Sequence, residues 1–269
     1  MKIAVLKLSG KTLTYFLSNK KWTKIIKELR SEFDGVVIVH GAGKLINEWS
    51  SKLGIENKFK NGQRITMQEQ MDVVAAVQAG LVNSQITAKL NHAGLNATGV
   101  SGIDRNTFVA DYIDTELGFV GKPELKNSIN WIFELLEDDV IPVFSSVCRD
   151  VNGNLMNVNA DIFTEVLSIA LKSDTVFFVS DVSGVMINGA VKSILTENEI
   201  THGIANGDIK DGMIPKLLSC ASLLNEGINK IWIGSQLYTN FEKDENTHGT
   251  WIINSIKKEL ELLFVAQYV

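Results

Sequence analysis

The stretch Gly35–Lys44 reads GVVIVHGAGK, a β-branched apolar run that stops at a turn of small residues. A short apolar run of this kind predicts a strand that is buried on both faces of a sheet. On its amino-terminal side lies an amphipathic segment, Lys20–Glu32, and before that a second strand-like run, Lys2–Leu8. A helix-like stretch, Leu45–Leu53, follows it. The order strand, helix, strand, helix predicts an α/β fold with a mostly parallel sheet and right-handed crossovers.

Small residues follow both of these predicted strands. The first strand ends at Ser9-Gly10 and the second at Gly41-Ala42-Gly43. Ligands collect at the carboxyl edge of an open parallel sheet, where small side chains let backbone N–H groups approach phosphate oxygens. Neither turn has the spacing of a Walker loop or of the dinucleotide fingerprint. Two such turns at equivalent strand ends nevertheless favour an anion site at this edge.

The rest of the chain continues the alternation of strands and helices. Thr66 and Glu69 have the spacing of a capping box and open a long predicted helix. A predicted hairpin after this helix could form a lid over a ligand. The predicted elements after Leu53 are the helices Met67–His92, Asn130–Glu137, Ile162–Leu171 and Trp251–Phe264, the hairpin of Phe108–Tyr112 with Leu117–Gly121, and the strands Leu95–Ser101, Val140–Ser145, Thr175–Val179 and Lys230–Gly234, the last of the sheet.

The composition is that of an ordinary soluble globular protein. The chain has 269 residues, of which 45% are hydrophobic and 21% charged, and its net charge is −5. The negative charge argues against a nucleic-acid surface. Because no apolar run reaches about 18 residues, we expect no membrane span. The first residues lack a signal-peptide pattern, so we expect a cytoplasmic protein.

The cysteines and histidines predict neither a disulfide nor a metal site. Cys148 and Cys220 are far apart and lack metal-ligand spacing, so we expect two reduced packing residues. The four histidines form no helical metal pair, and no Ser/His/Asp arrangement is recognisable. We therefore expect no metal site of the protein's own.

The stretch Leu155–Asp161, LMNVNAD, places polar side chains at alternate positions. In an extended backbone Asn157, Asn159 and Asp161 would lie on one side. A carboxamide both donates and accepts hydrogen bonds, which suits a substrate with carboxylate and amide groups, and Asp161 could hold lysines. The alternative is helix capping, because Asn or Asp before an apolar run is common at helix starts.

Three further features are ambiguous from the sequence. Arg64 precedes the long helix and could fork onto a carboxylate or be a solvated surface residue. Lys216 falls near the start of a helix predicted through Leu217, Leu218, Ala221 and Leu224. The helix dipole disfavours a cation there, and such local conflicts often mark functional sites. The turn Ser180–Gly184 could accept an adenine or ribose, or cap the next element.

Several motifs, in this order, resemble the N-acetylglutamate kinases of the amino-acid kinase superfamily. Each motif is weak alone, but together they span nearly the whole chain. They are Lys7-Leu8-Ser9-Gly10, His40-Gly41-Ala42-Gly43, Asn61-Gly62-Gln63-Arg64-Ile65-Thr66, Leu155–Asp161, Ser180–Gly184, Asp211-Gly212-Met213-Ile214-Pro215-Lys216 and Gly249-Thr250.

The resemblance implies phosphoryl transfer from ATP, with Mg²⁺, to the side-chain carboxylate of N-acetyl-L-glutamate in arginine biosynthesis. By similarity, Lys7 and Lys216 are catalytic and Asp161 holds both ammonium groups. The implied acceptor-binding residues are Gly41, Ala42, Arg64, Asn157 and Asn159. The implied ATP-binding residues are Ser9, Gly10, Gly43, Asp181, Val182, Ser183, Gly184, Ile209, Lys210 and Met213.

The resemblance also implies the architecture. It is a single three-layer α/β/α sandwich of the amino-acid kinase type, in which residues 1–174 bind the acceptor and residues 175–269 bind ATP. Arginine-inhibited members of the family have an extra N-terminal helix, and this chain begins directly at its first strand. We therefore expect a homodimer that arginine does not inhibit; a hexamer in light scattering, or inhibition by arginine, would contradict this.

Three residues depart from the family pattern. Ser9 and Ala42 stand where family members usually have glycine, and Gln63 stands at a position that is often apolar. The sequence therefore does not determine which acyl group of the acceptor fits the site. The alternatives are N-succinyl-L-glutamate, UMP or a carrier-linked aminoadipate as acceptor, and a non-catalytic sensing module. The two lysines and Asp161 argue against the last.

Overall fold

The computed structural model describes residues 1–209, 213–235, 237 and 249–255. The strands within them are β1 (Ile3–Leu8), β2 (Gly35–His40), β3 (Phe59–Lys60), β4 (Gln63–Arg64), β5 (Ala97–Ser101), β6 (Phe108–Tyr112), β7 (Val120–Leu125), β8 (Ile141–Ser145), β9 (Val147–Arg149), β10 (Leu155–Val158), β11 (Thr175–Val179), β12 (Met186–Ile187), β13 (Ala190–Val191), β14 (Ile194–Thr196), β15 (Lys230–Gly234) and β16 (Gly249–Ile253). The α-helices are α1 (Gly10–Ser18), α2 (Lys21–Glu32), α3 (Gly43–Lys52), α4 (Gln68–Val74), α5 (Asn83–His92), α6 (Asn130–Glu137), α7 (Ala160–Leu171), α8 (Glu197–Ala205) and α9 (Ile214–Asn225). In this part of the chain, no helix combines the length and apolar character that crossing a membrane requires.

An eight-stranded sheet forms the centre, in the order β14-β16-β15-β11-β1-β2-β8-β5. The strands from β15 to β5 run parallel, and β16 pairs antiparallel with β15. Leu8 of β1 lies opposite both His40 and Val179, so the carboxyl ends of β1, β2 and β11 lie side by side. The α/β fold with a mostly parallel sheet is confirmed.

The first strand shows why helices cover both faces of this sheet. All six side chains of β1 are at least nine-tenths buried, and consecutive side chains point to opposite faces. Ile3 and Val5 belong to one hydrophobic core, whereas Leu6 and Leu8 belong to the other. The first core contains side chains of α6, α7 and α9, and the second contains side chains of α1, α2 and α5. Three layers result, as predicted.

A second sheet, β6-β7-β10-β9, is built from chain that leaves the carboxyl ends of β5 and β8. Its hairpin β9–β10 turns around Asn152-Gly153, as predicted, with Gly153 at φ 91°. This conformation favours glycine. β10 leads directly into α7 and so carries the motif Leu155–Asp161 to the edge where β1 and β2 end.

The long predicted helix Met67–His92 is present but is not uniformly α-helical. A π-helical segment, Ala75–Val82, joins α4 to α5. At its end the Asn83 N–H donates to the Gln78 carbonyl five residues earlier. π-Helical turns are rare and frequently occur at functional sites.

The predicted capping box at the start of this helix is wrong. The Thr66 hydroxyl donates to the Arg64 carbonyl at 3.0 Å instead of capping the helix. Met67 is the N-cap residue, and its side chain makes no capping hydrogen bond. The chain before the helix is held by strand-like contacts, because Thr66 forms a parallel bridge with Gly118.

The prediction that Lys230–Gly234 is the last strand is also wrong. Gly249–Ile253 forms β16 beside it, so the predicted helix Trp251–Phe264 is a strand as far as Ile253, and its residues after 255 lie outside the described part. The pairing depends on Gly249, where a Cβ atom would lie 2.3 Å from the Trp232 ring. This long-range contact overrides the local amphipathic pattern.

Candidate active site

Two lysines and one aspartate meet at the carboxyl edge of the central sheet. Lys7 lies near the end of β1, Asp161 in the first turn of α7 and Lys216 in the first turn of α9. The Lys7 Nζ lies 2.6 Å from Asp161 Oδ1, and the Lys216 Nζ lies 3.0 Å from Asp161 Oδ2. One carboxylate therefore holds two ammonium groups side by side.

The charges of this cluster stabilise one another. Burial opposes ionisation of Asp161, but the positive charges of Lys7 and Lys216 outweigh it and lower the pKa of Asp161 to about 2. Burial lowers the pKa of Lys7, an effect that Asp161 opposes and Lys216 reinforces. The Lys216 Nζ also lies 5.1 Å from the centre of the Phe178 ring. With both lysines protonated, the cluster has a net charge of +1 and attracts anions.

Two helices begin at the same edge without side-chain caps. α1 begins at Gly10 and α3 at Gly43, and neither has a capping side chain or an acidic residue in its first turn. The N–H groups of a first turn lack intrahelical acceptors, and the helix dipole favours an anion beside them. A Cβ atom added at Gly10 or Gly43 would meet no heavy atom of the described protein within 4 Å. Within the described residues, neither glycine is therefore covered by a neighbouring group.

Ser9 orients the first of these turns. Its N–H and its hydroxyl both donate to the Val179 carbonyl, at 3.2 and 3.0 Å. These bonds connect the end of β1 to the end of β11. Because both hydrogen-bond donors of Ser9 are used within the protein, the first backbone N–H of this turn that is available to a phosphate is that of Gly10.

A cavity of about 210 Å³ adjoins the helix start that carries Asp161. Its walls come from the turn after β2, the hairpin β3–β4, the π-helical segment and the end of β10. Every residue predicted to bind the acceptor lines it, namely Gly41, Ala42, Arg64, Asn157 and Asn159. Among the described residues of its walls, Arg64 is the one with a formal charge.

Arg64 is 8% exposed and is not a solvated surface residue. It donates to the side-chain oxygens of Asn47 and Asn57 and, at 3.2 Å, to the Gly43 carbonyl. Its guanidinium lies 4.8 Å from the centre of the Phe59 ring. A guanidinium has five N–H groups, and these partners are neutral, so Arg64 retains both donors and charge for a carboxylate.

The two carboxamides of the motif Leu155–Asp161 have different positions. Asn157 lies in β10 and donates to the Thr66 hydroxyl at 2.9 Å. Asn159 is the N-cap of α7 and accepts from the Asp161 N–H at 2.8 Å. The capping alternative is thus correct for Asn159, which also lines the cavity.

The hairpin β3–β4 forms one side of the cavity. Its turn residues Asn61 and Gly62 both have positive φ, as a tight hairpin requires. Lys60 binds Asp114 at 2.8 Å and also Glu116, which fixes the hairpin to the loop before β7. The predicted lid forms β6–β7 of the second sheet and contributes Val120 to the cavity wall.

Four residues predicted to bind the nucleotide follow β11. Asp181 and Ser183 are exposed, and Val182 is half-buried. Gly184 is buried with φ 136°, and a Cβ atom there would lie 2.6 Å from Val191. The absence of a side chain at Gly184 therefore lets Val191 of the same chain pack closely against this turn.

The other predicted nucleotide-binding residues precede α9. Ile209 is 3% exposed and packs against Gly203, and Met213 is half-buried at the helix start. Lys210 lies outside the described residues.

Sequence reasoning missed two polar residues of the cavity, Gln78 and Ser146. A signal existed for Gln78. Residues 74, 78, 82, 86 and 90 lie four apart, all are buried, and all are apolar except Gln78. An amide in an apolar helical row indicates a specific polar partner. No comparable signal marks Ser146.

The described residues contain no group of three or more His, Cys, Asp or Glu side chains that could hold a metal ion. Both oxygens of Asp161 contact lysines.

His40, at the end of β2, is buried, and burial lowers its pKa to about 4. Asn83 Nδ2 lies 3.1 Å from His40 Nε2, and with its pKa lowered by burial the ring is neutral at pH 7. In the unfolded chain a histidine titrates near pH 6.5. Between these values the unfolded state binds more protons, so the free energy of unfolding falls as the pH falls.

Replacing His40 with glutamine should remove this dependence. From pH 6.5 to 4 we expect the unsubstituted protein to lose about 3 kcal/mol more unfolding free energy than the His40→Gln variant. Urea unfolding at several pH values measures it. The exposed His202→Asn variant is the control and should follow the unsubstituted protein; parallel curves for all three would contradict the assignment.

The sequence agrees with a known family. The profile of the "Amino acid kinase family" matches residues 2–235. The chain belongs to the amino acid kinase family. The α/β architecture and the lysine–aspartate cluster of this family member are those that the motif resemblance implies.

Two curated relatives of this amino acid kinase match most of its length. An acetylglutamate kinase from Campylobacter hominis is 35% identical over 235 residues, which cover 86% of this chain and 82% of the relative. An acetylglutamate kinase from Chlorobaculum tepidum is 33% identical over 264 residues, which cover 96% and 92%. A crystal structure of a Streptococcus mutans protein matches with a TM-score of 0.75 and 30% identity, covering 93% of this chain and 98% of that one.

Proposed function

We propose that this protein transfers the γ-phosphoryl group of ATP to the side-chain carboxylate of N-acetyl-L-glutamate, a step of L-arginine biosynthesis. The observation that carries the proposal is the Asp161 carboxylate, which holds Lys7 and Lys216 beside a cavity whose charged residue is Arg64. The relatives named acetylglutamate kinase support the same reaction. Two preorganised ammonium groups suit the negative charge on the phosphoryl oxygens in such a transfer.

The chemistry requires no general base. The acceptor carboxylate is ionised at neutral pH, so its oxygen attacks the γ-phosphorus directly while the bond to the ADP oxygen breaks. Lys7 and Lys216 neutralise charge on the transferred group, and the N–H groups at the starts of α1 and α3 hold the phosphates. Arg64 binds the α-carboxylate and, with Asn157, sets the acceptor for in-line attack.

The kinase family implies the use of ATP, and we expect a magnesium ion that arrives with it. The described residues offer no cluster of three metal ligands, and Asp161 is engaged by the two lysines. When bound, Mg²⁺ would neutralise phosphate charge.

The cavity favours an acetyl over a succinyl group. Arg64 is the one charged residue among its described walls, and the α-carboxylate of either acceptor would use it. A succinyl group adds a second carboxylate, and burying a charge without a partner is unfavourable.

We assign acceptor binding to residues 1–174, because all the described cavity walls fall there. We assign ATP binding to residues 175–269, with the starts of α1 and α3 reaching its phosphates from the first part. Lys216, from the second part, reaches Asp161 of the first and closes the site between them. The homodimer, the arginine insensitivity and the cytoplasmic location stay predictions.

A coupled ADP-release assay tests the proposal. N-acetyl-L-glutamate, N-succinyl-L-glutamate, L-glutamate and UMP are compared at equal concentrations, and formation of the acyl phosphate is trapped with hydroxylamine. We expect turnover with N-acetyl-L-glutamate and at most slow turnover with the others. Preference for N-succinyl-L-glutamate would overturn the assignment of an acetyl group to the acceptor. Absence of ADP release with all four compounds would overturn the proposed reaction.

A further inference from the structure

A buried amide on the π-helical segment has no role in the reaction described above. Gln78 is 3% exposed and lines the acceptor cavity. Its Nε2 donates to the Ser146 hydroxyl oxygen at 2.8 Å. A single polar residue in an otherwise apolar helical row requires a partner for each of its polar ends.

Ser146 determines which end of this amide is available. The Ser146 hydroxyl donates its one proton to the Val158 carbonyl at 2.7 Å, so towards Gln78 it can only accept. The NH₂ group of Gln78 must therefore face Ser146. Within the described residues Gln78 Oε1 has no hydrogen-bond partner. It is also not one of the fully buried atoms that lack a partner, so it retains some accessible surface. An oriented acceptor oxygen is thus available at the cavity.

The rest of the cavity indicates what this oxygen binds. Arg64 supplies donors and positive charge, which suit a carboxylate. The Asn159 side-chain oxygen is already used by the Asp161 N–H. A ligand that also carries a neutral N–H needs an acceptor, and Gln78 offers one on a rigid support.

We propose that Gln78 accepts the hydrogen bond from the amide N–H of the acceptor's N-acyl group. Gln78 is then a specificity-determining residue that selects an N-acylated amino acid over an analogue without this N–H. Ser146 is its positioning residue. The inference rests on the proposed function and assigns the subsite that reads the acyl-amino group.

The test replaces one atom of the substrate and one residue of the protein. N-acetyl-L-glutamate is compared with 2-acetoxyglutarate, in which an ester oxygen replaces the N–H. We expect the unsubstituted protein to prefer the amide in kcat/KM by at least about 10-fold. In Gln78→Met the value for the amide should fall by about 10- to 100-fold while that for the ester changes little, so the preference is lost.

Matched controls separate this role from general packing. Gln70 is also a buried glutamine, in α4, and donates to Ser50 at 2.8 Å outside the cavity. Gln70→Met should retain the full preference for the amide. Ser146→Ala removes the hydroxyl that orients the Gln78 amide and leaves Gln78 itself unchanged. This variant should lose part of the preference for the amide, and it provides a second test if Gln78→Met does not fold.

The outcomes distinguish this inference from the proposed function. An equal loss for both substrates in Gln78→Met, or loss of the preference in Asn157→Ala but not in Gln78→Met, would overturn the assignment to Gln78 alone. Absence of any turnover of N-acetyl-L-glutamate by the unsubstituted protein would overturn the proposed function and this inference with it.

Discussion

Replacing Lys216 with methionine is expected to lower kcat by about 10²- to 10³-fold. The methionine keeps much of the apolar stem that packs near Phe178 but removes the ammonium group 3.0 Å from Asp161. The charge that develops on the phosphoryl group then loses one of its two fixed cations. The measurement is kcat from ADP release at saturating ATP and acceptor.

Lys230 provides a matched control. Its Nζ also lies 5.1 Å from an aromatic ring, that of Trp251, but it stands at the start of β15 and not at the carboxyl edge. Lys230→Met should leave kcat within about twofold, because surface substitutions away from specific features have small effects. A similar loss in both variants, or an unchanged kcat in Lys216→Met, would contradict the catalytic role.

The second large effect is expected at Arg64. Replacing it with lysine keeps the charge but removes the planar fork that binds Asn47, Asn57 and the Gly43 carbonyl. We expect the KM for the acceptor to rise on the order of 10²-fold, with the KM for ATP nearly unchanged. Steady-state kinetics with each substrate varied in turn measures both values.

Arg149 is the control for this change. It also donates to neutral oxygens, the backbone carbonyl of Asp150 and the side-chain oxygen of Asn106, but it lies at the end of β9 and outside the acceptor cavity. Arg149→Lys should leave both KM values unchanged. If Arg64→Lys instead raises the KM for ATP, then Arg64 serves the nucleotide, and the division of the chain into acceptor and ATP halves is wrong.

Much of the site could be predicted because its residues lie in short motifs at strand ends. Parallel strands bring their carboxyl ends to one edge, so the turns after Lys7 and before Gly41 had to meet once β1 and β2 were recognised. Asp161 follows β10 of the second sheet, and its place beside the lysines was implied by the family resemblance. Arg64 was ambiguous, because an arginine before a helix has the same sequence pattern whether it is buried or solvated. Only its contacts with Gly43 and two asparagines decide between the alternatives.

By itself the sequence determined the alternation of strands and helices, the buried parallel sheet and the small-residue turns, because backbone sterics and hydrophobic periodicity act between near neighbours in the chain. The tertiary structure alone decided the addition of β16, the tie from Ser9 to Val179 and the orientation of Gln78. Each of these depends on a partner far away in the chain, whose position follows from packing and hydrogen bonding of the whole fold.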